Sequence, residues 1–218
     1  MYVGLKMLKN FVTVTPQTLI KDAEKLLDES KLWKLLVLDK DGKLVGYVRK
    51  SDIARALPSL VTSLDKHEIN YLLAKLTIDK IMRTNMEAIG PDATIEEAAY
   101  KMSQEDLAGL AVMDSNEELI GYINRNVMLE LFVEEMGMLQ GGSRIAFSAE
   151  DKTGVLAEVA GIIKDMHIGI ISTSTFFHNG ARMVVIRVAT DNAAPVEQAI
   201  AAAGYKIVGP QDFEADWK

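Results

Sequence analysis

The sequence predicts an α+β chain in which two β-α-β-β-α repeats form a pseudo-twofold pair and a ferredoxin-like βαββαβ domain follows. Three observations lead there. First, a step of 75 residues lays the segment beginning at Met7 on the one beginning at Met82 without a gap, as far as Leu57 and Phe132. Asn10/Asn85, Pro16/Pro91, Ala23/Ala98, Leu35/Leu110, Val37/Val112, Asp39/Asp114, Gly46/Gly121 and Tyr47/Tyr122 then coincide. Two copies are too few for an open array, which needs at least three to bury its faces, so a closed pair is implied, with a cleft between the halves suited to a small ligand. Second, the apolar spacing inside each copy switches from three-and-four to a short continuous run, as when a helix precedes a buried strand. Third, after Gly141-Gly142 the order becomes strand, helix, strand, strand, helix, strand, which belongs to ferredoxin-like folds.

In the first repeat Val12-Thr13-Val14 reads as a short strand, and Ile20, Ala23, Leu26 and Leu27 share one face of a helix. Leu35 to Leu38 is a buried strand, Asp39-Lys40-Asp41-Gly42 a turn, and Leu44 to Val48 a second strand. Ser51-Asp52 then starts a closing helix through Leu57, with either side chain able to cap its free amides. The second copy repeats this order, with Asn116-Glu117 at the turn and Met128, Leu129, Phe132, Val133 and Met136 on a longer last helix. Between the copies Leu64, Ile69, Leu72, Leu73 and Leu76 predict an amphipathic helix from about Ser63 to Lys75. In the tail the strands run Arg144 to Phe147, Ile168 to Phe176, Arg182 to Ala189 and Tyr205 to Val208, with helices Val155 to Met166 and Val196 to Ala203. Asn179-Gly180 joins two of the strands, because both residues tolerate the positive φ of a tight hairpin turn. The expected boundaries are 1–60 for repeat one, 61–78 for the bridge, 79–140 for repeat two and 143–210 for the tail domain.

Composition narrows the function classes. Among 218 residues, 49% are apolar and 25% charged, ordinary globular values. A net charge of -7 without a basic stripe opposes binding to a phosphate backbone, so no direct nucleic-acid partner is expected. Zero cysteines excludes disulfides, thiol catalysis and cysteine-ligated zinc. No apolar run approaches the roughly 18 residues that span a bilayer, and Met1 to Lys6 lacks a signal-peptide core, so a cytoplasmic chain without membrane contact is expected. His67-Glu68-Ile69-Asn70-Tyr71 has tyrosine where a zinc-protease helix needs its second histidine. No nucleophile and base can be assembled either, so neither catalysis nor a metal is expected.

The repeat motifs resemble those of cystathionine-beta-synthase (CBS) domains. That family's T-V-x-P-x-x-T-x-x-x-A start matches Thr13, Val14, Pro16, Thr18 and Ala23, and its V-V-D-x-x-G-x-L-V-G-h-V strand-turn-strand matches Val37-Leu38-Asp39, Gly42 and Leu44 to Val48. The tail resembles an ACT domain, with Asp151-Lys152-Thr153-Gly154-Val155-Leu156 in place of a D-x-P-G-x-L loop. The combination is similar to acetoin-utilisation AcuB-like proteins.

The resemblance implies a ligand-sensing regulatory protein, a homodimer acting on an unidentified partner, that binds an adenine nucleotide or adenosyl compound as regulatory ligand and needs no cofactor. The family motif G-h-x-T-x-x-D reads Gly46 to Asp52, which implies a nucleotide site of Thr13, Val14, Pro16, Val37, Arg49, Ser51 and Asp52, with Asp52 on the ribose hydroxyls. Arg49 stands in the threonine position and could pair with phosphate. Val127 occupies the aspartate position of the second repeat, so at most one competent site is expected. In the tail the resemblance implies an amino-acid site at Asp151, Thr153, Gly154, Val155 and Leu156. Read structurally instead, Asp52 is a helix cap, Arg49 and Lys50 a solvated strand end, Tyr47 and Tyr122 core aromatics, and the Asp151 loop a tight turn. A structural or assembly subunit with vestigial pockets is the alternative function.

Overall fold

The computed structural model describes residues 1–30, 32, 34–56, 75–149 and 153–217. The predicted bridging helix, apart from Lys75, and the end of the helix expected to reach Leu57 lie outside the described residues. The chain divides into two compact units, Met1–Met128 and Leu129–Lys218. Among the described residues no helix is long and apolar enough to cross a membrane.

The first unit holds both repeats. A short helix α1 (Val3–Lys6) leads into β1 (Thr13–Val14), α2 (Ile20–Ser30), β2 (Lys34–Leu38), β3 (Leu44–Arg49) and α3 (Lys50–Ala56). After a 3-10 turn at Ile78–Lys80 come β4 (Ala88–Ile89), α4 (Ile95–Gln104), β5 (Gly109–Met113), β6 (Leu119–Asn124) and the start of α5 (Arg125–Glu135), which from Leu129 on belongs to the second unit. Each repeat makes a three-stranded sheet, β1-β2-β3 or β4-β5-β6, with the first pair parallel and the second antiparallel. The parallel pair requires a crossover, and α2 and α4 supply it. On α2, Ile20, Ala23 and Leu27 pack against Leu35, Val37, Val48 and Ile53. Leu36 lies between them in sequence and is equally buried, so the central strand is covered on both faces and reads as a continuous apolar run. Thr94 and Glu97 form a capping box at the start of α4.

The repeats exchange their leading segments. The Leu8 N–H donates to the Tyr122 carbonyl at 2.8 Å and receives the Tyr122 N–H at 3.0 Å. One repeat step later, Arg83 and Tyr47 make the same reciprocal pair at 2.8 and 2.9 Å. Val3 donates to the Ala93 carbonyl and Ile78 to that of Thr18, again one step apart and both at 2.9 Å. The repeat therefore begins further upstream than Met7/Met82, and Val3 and Ile78 are equivalent, fully buried plugs. Each sheet is completed by backbone from the other half.

The second unit is an antiparallel sheet of order β10-β7-β9-β8, built from β7 (Ser143–Ala149), β8 (Ile170–His178), β9 (Ala181–Val188) and β10 (Lys206–Ile207). One face carries α6 (Val155–Asp165) and α7 (Ala194–Ala202), packed through Val159, Ile163, Val196 and Ile200 onto Phe147, Val184 and Ile186. Asn179 and Gly180 have φ of 48° and 79°, the two positive values of the predicted hairpin turn. The Gly141 and Gly142 carbonyls accept hydrogen bonds from the Arg187 guanidinium at 3.2 and 3.1 Å.

One sequence expectation is corrected: the closing helix α3 starts at Lys50, one residue before Ser51. On α5 Val127 and Leu131, four apart, are buried, while Leu129 and Phe132 are exposed.

The exchange explains why Gly46 and Gly121 coincide. A Cβ on Gly46 would lie 2.3 Å from the Arg83 carbonyl oxygen, and one on Gly121 would lie 2.4 Å from the Met7 sulfur. The first obstacle is backbone and the second a flexible side chain. Gly46→Ala is expected to destabilise the chain by about 1–3 kcal/mol in urea unfolding, and Gly121→Ala by less. Equal midpoints for Gly46→Ala and wild type would contradict the close approach.

Candidate functional site

The first unit contains two clefts related by the repeat step. The first, a cavity of about 500 Å3, lies where the β3-α3 junction (Arg49, Lys50, Ser51) faces the turn of the other repeat at Asp106 to Ala108. The second, about 250 Å3, lies where the β6-α5 junction (Asn124, Arg125, Asn126) faces Leu32. Lys34 lines both.

Of the residues expected at a nucleotide site, the structure brings Arg49 and Ser51 together at the first cleft and leaves Thr13, Val14, Pro16 and Val37 outside its lining. Val14 and Val37 pair across the parallel ladder and are sealed in the core behind the sheet. The Pro16 carbonyl accepts the Asp79 N–H of the exchanged segment at 2.9 Å.

Asp52 is buried at the third position of α3 and lies outside the lining of the cleft. It does not cap the helix by accepting from later amides. Its carboxylate reaches back to the Arg49 N–H at 3.2 Å. The Arg49 guanidinium donates to both of its oxygens at 3.0 and 3.1 Å, and Arg83 to both at 3.1 and 3.0 Å. A carboxylate offers about four lone-pair sites, so these bonds use all its capacity. Burial alone would raise its pKa, but hydrogen bonds from Arg83 and Arg49 outweigh that and hold the carboxyl well below the usual range.

The same three positions in the second repeat carry Leu8, Asn124 and Val127. Val127 is as buried as Asp52, and the Asn124 side chain accepts the Val127 N–H at 3.0 Å as an ordinary helix cap. The charged cluster is thus present complete in one repeat and absent complete from the other.

Lys34 begins β2. Its ammonium donates to the Gly109 carbonyl at 2.7 Å and lies 5.2 Å and 5.1 Å from the ring centroids of Tyr47 and Tyr122. Burial, and then the like charge of Arg49, lower its pKa to about 8. Tyr122 is buried with its hydroxyl pushed up by desolvation, whereas Tyr47 is partly exposed to the first cleft. Arg125 pairs with Asp106 at 2.7 Å, and Lys50 with Asp28 at 2.6 Å.

Sequence reading missed Lys34, Arg83 and Asp106. The repeat step held the signal for two of them: Lys34 falls on Gly109 and Arg83 on Leu8, and a charged residue replacing an apolar or absent side chain marks where twofold equivalence is broken.

In the second unit Asp151 lies outside the described residues. Gly154 caps α6 in the left-handed conformation at φ 91°, with no side-chain cap bond. Val155 is buried in the core, and Thr153 and Leu156 are exposed. This unit's described cavity, about 440 Å3, lies elsewhere: Arg144, Ser172, Val185 and Arg187 line it from the sheet face away from α6 and α7, together with Phe132 and Met136.

Asp52→Asn leaves two guanidiniums facing a neutral amide. It is expected to cost about 1–3 kcal/mol, below the 3–5 kcal/mol of a fully buried pair because the two arginines are 42% and 44% exposed. Since the folded carboxyl titrates below its unfolded value, its contribution is present above about pH 4 and is lost as pH falls below that. The gap between the denaturant midpoints of wild type and variant should narrow steadily as pH falls below about 4; a constant gap would contradict the cluster.

Residues 3–59 and 78–134 match the CBS domain, together half of the chain, and residues 141–210 match the TTHA0829-like ACT domain. A homoserine O-acetyltransferase from Methanohalobium evestigatum is 27% identical over 133 residues; the match covers 61% of this chain and 24% of that enzyme. This chain therefore spans about a quarter of that relative's length. Among solved structures, CBSX2 in complex with AMP is 26% identical, with a TM-score of 0.51 over 61% of this chain and 96% of its own; CBSX2 comes from Arabidopsis thaliana. The CBS pair of protein MJ0100, in complex with 5-methylthioadenosine and S-adenosyl-L-methionine, is 27% identical, with a TM-score of 0.51 over 62% and 97%. An acetoin utilization protein (AcuB) from Vibrio cholerae shares the fold at 19% identity, with a TM-score of 0.54 over 66% and 98%. The exchanged repeats with their paired clefts, and the sheet of order β10-β7-β9-β8, agree with these matches: the chain belongs to the CBS-domain family, a CBS pair followed by a TTHA0829-like ACT domain.

Proposed function

We propose that this chain is a ligand-sensing regulatory protein whose CBS pair takes a phosphorylated adenosine of the AMP type in the first cleft. The observation that carries this reading is the charge of that cleft's lining: among the described residues it presents Lys34, Arg49 and Lys50 with Asp106 as its one acidic member, and Asp52 and Asp28, the partners of Arg49 and Lys50, lie outside it. A cationic wall favours a phosphate and disfavours a sulfonium. CBSX2 with AMP and the MJ0100 pair with adenosyl ligands support the adenosine half of the reading.

Asp52 enters by exchange. When the Arg49 guanidinium turns from Asp52 to the phosphate, the Arg49 N–H and Arg83 still fill one carboxylate oxygen, and the other is left with one free position that a ribose hydroxyl can take. Ser51 adds a hydroxyl at the start of α3. In the ACT domain, the first-turn amides of α6 after Gly154 lack partners within the helix and support an amino-acid carboxylate as a second ligand. The outer strand β8, with Phe176 and Phe177 exposed, supports a homodimer; action on a partner protein in the cytoplasm belongs to the same proposal.

The second reading is an assembly subunit with vestigial pockets, favoured by the saturated Asp52 and by Val127. Calorimetry and thermal shift with AMP separate the two. AMP at 100 times its Kd should stabilise the chain by about 2.7 kcal/mol. Lys34 faces Tyr47 and Arg49 from β3, the Gly109 carbonyl from β5, Tyr122 from β6, and across the second cleft Arg125 from α5. Its ammonium is lost as pH rises through about 8, so AMP affinity should fall above that value. It should fall below about pH 6 as well, where the phosphate gains a proton. No shift with any adenine nucleotide across this range would favour the vestigial reading.

A further inference from the structure

We propose that Lys34 is a single cationic anchor shared by the two clefts, so that an anion held in one opposes an anion in the other and the pair binds phosphorylated ligands with negative cooperativity. The proposal rests on the reading that these clefts hold anions, and it is independent of whether the rest of the ligand is adenosine.

Lys34 sits on the local twofold. Its ammonium is bonded to the carbonyl of Gly109, the residue one repeat step away from itself. Its distances to Tyr47 and Tyr122, also one step apart, differ by only 0.1 Å, at 5.2 and 5.1 Å. The two half-sites are therefore symmetric in their approach to this amine, and each cleft opens onto it. The other cations at the clefts each have a carboxylate: Arg49 has Asp52, Lys50 has Asp28, and Arg125 has Asp106. Among the described residues Lys34 meets a carbonyl and two ring faces but no carboxylate. Position 109 is glycine, so the twofold image of this ammonium does not exist.

Two pockets thus share one uncompensated cation. A cation over aromatic faces in a partly desolvated place gains strongly from an added anion. A second anion brought to the same amine would stand within about one Debye length, ~8 Å at physiological salt, of the first and be repelled with little screening. Burial lowers the Lys34 pKa to about 8, so the amine is charged at pH 7, and a bound anion would raise that value.

The test is calorimetric titration of the full chain at pH 7 with AMP, adenosine and inorganic pyrophosphate. Each anion should fill one equivalent per chain tightly, with a second step at least 10-fold weaker, whereas any adenosine binding should show no such antagonism. In Lys34→Met the tight anion step should weaken by about 10-fold or more and the ratio between the two steps should shrink, with Lys34→Gln as a second variant and circular dichroism to confirm the fold. Two equal anion steps in wild type, a wild-type pattern in both folded variants, or binding of neither anion would overturn the proposal. If pyrophosphate follows the pattern while AMP and adenosine do not bind, the shared anchor stands and the nucleotide reading falls. If AMP binds and the Lys34 variants bind it unchanged, the nucleotide reading stands and the anchor falls.

Discussion

The backbone exchange between the repeats fixes most of what else the first unit does. Leu8 on Tyr122 and Arg83 on Tyr47 hold each leading segment along the far repeat's last strand, through paired bonds of 2.8 to 3.0 Å. Neither sheet is complete without backbone from the other half, so the repeats are bound into one folding unit. The exchange forces glycine at position 46, where the crossing backbone leaves no room for a side chain, and favours it at 121, where the Met7 side chain stands. It also delivers Arg83 to Asp52, placing an arginine from the start of one repeat on a carboxylate at the end of the other. The twofold that results brings β2 and β5 together so that Lys34 meets Gly109.

On that symmetric frame the chemistry is asymmetric. A buried carboxylate is costly unless it is paired, and Asp52 exists where Arg49 and Arg83 both reach it. Its counterpart Val127 exists where neither cation does, with Asn124 capping the helix instead. Replacing all three residues keeps both junctions free of an unpaired buried charge, and it leaves one cleft with a switchable arginine and the other without. Lys34 is the remaining asymmetry, one ammonium where symmetry would call for two or none.

The fold was legible in the sequence because it is written in local patterns. The 75-residue step, the Leu35 to Leu38 run and the Asn179-Gly180 turn each report a periodicity or a dihedral requirement that residue types carry by themselves. The site was only half legible. Arg49 and Ser51 adjoin the cleft as their motif implied, but Val14 and Val37 face the core, and nothing local says which side of a strand buried on both faces meets a ligand. Arg83 and Lys34 were invisible for a different reason. Their roles come from contacts 31 and 75 residues away in sequence, created by the exchange, and a hydropathy pattern does not encode them.

The most direct test of this account is a crystal structure of the chain grown with AMP. The phosphate is predicted within hydrogen-bonding distance of the Lys34 ammonium and of Arg49, with Arg49 swung away from Asp52 and a ribose hydroxyl in its place. AMP bound with the Arg49–Asp52–Arg83 cluster intact and Lys34 still on the Gly109 carbonyl, away from the phosphate, would contradict it.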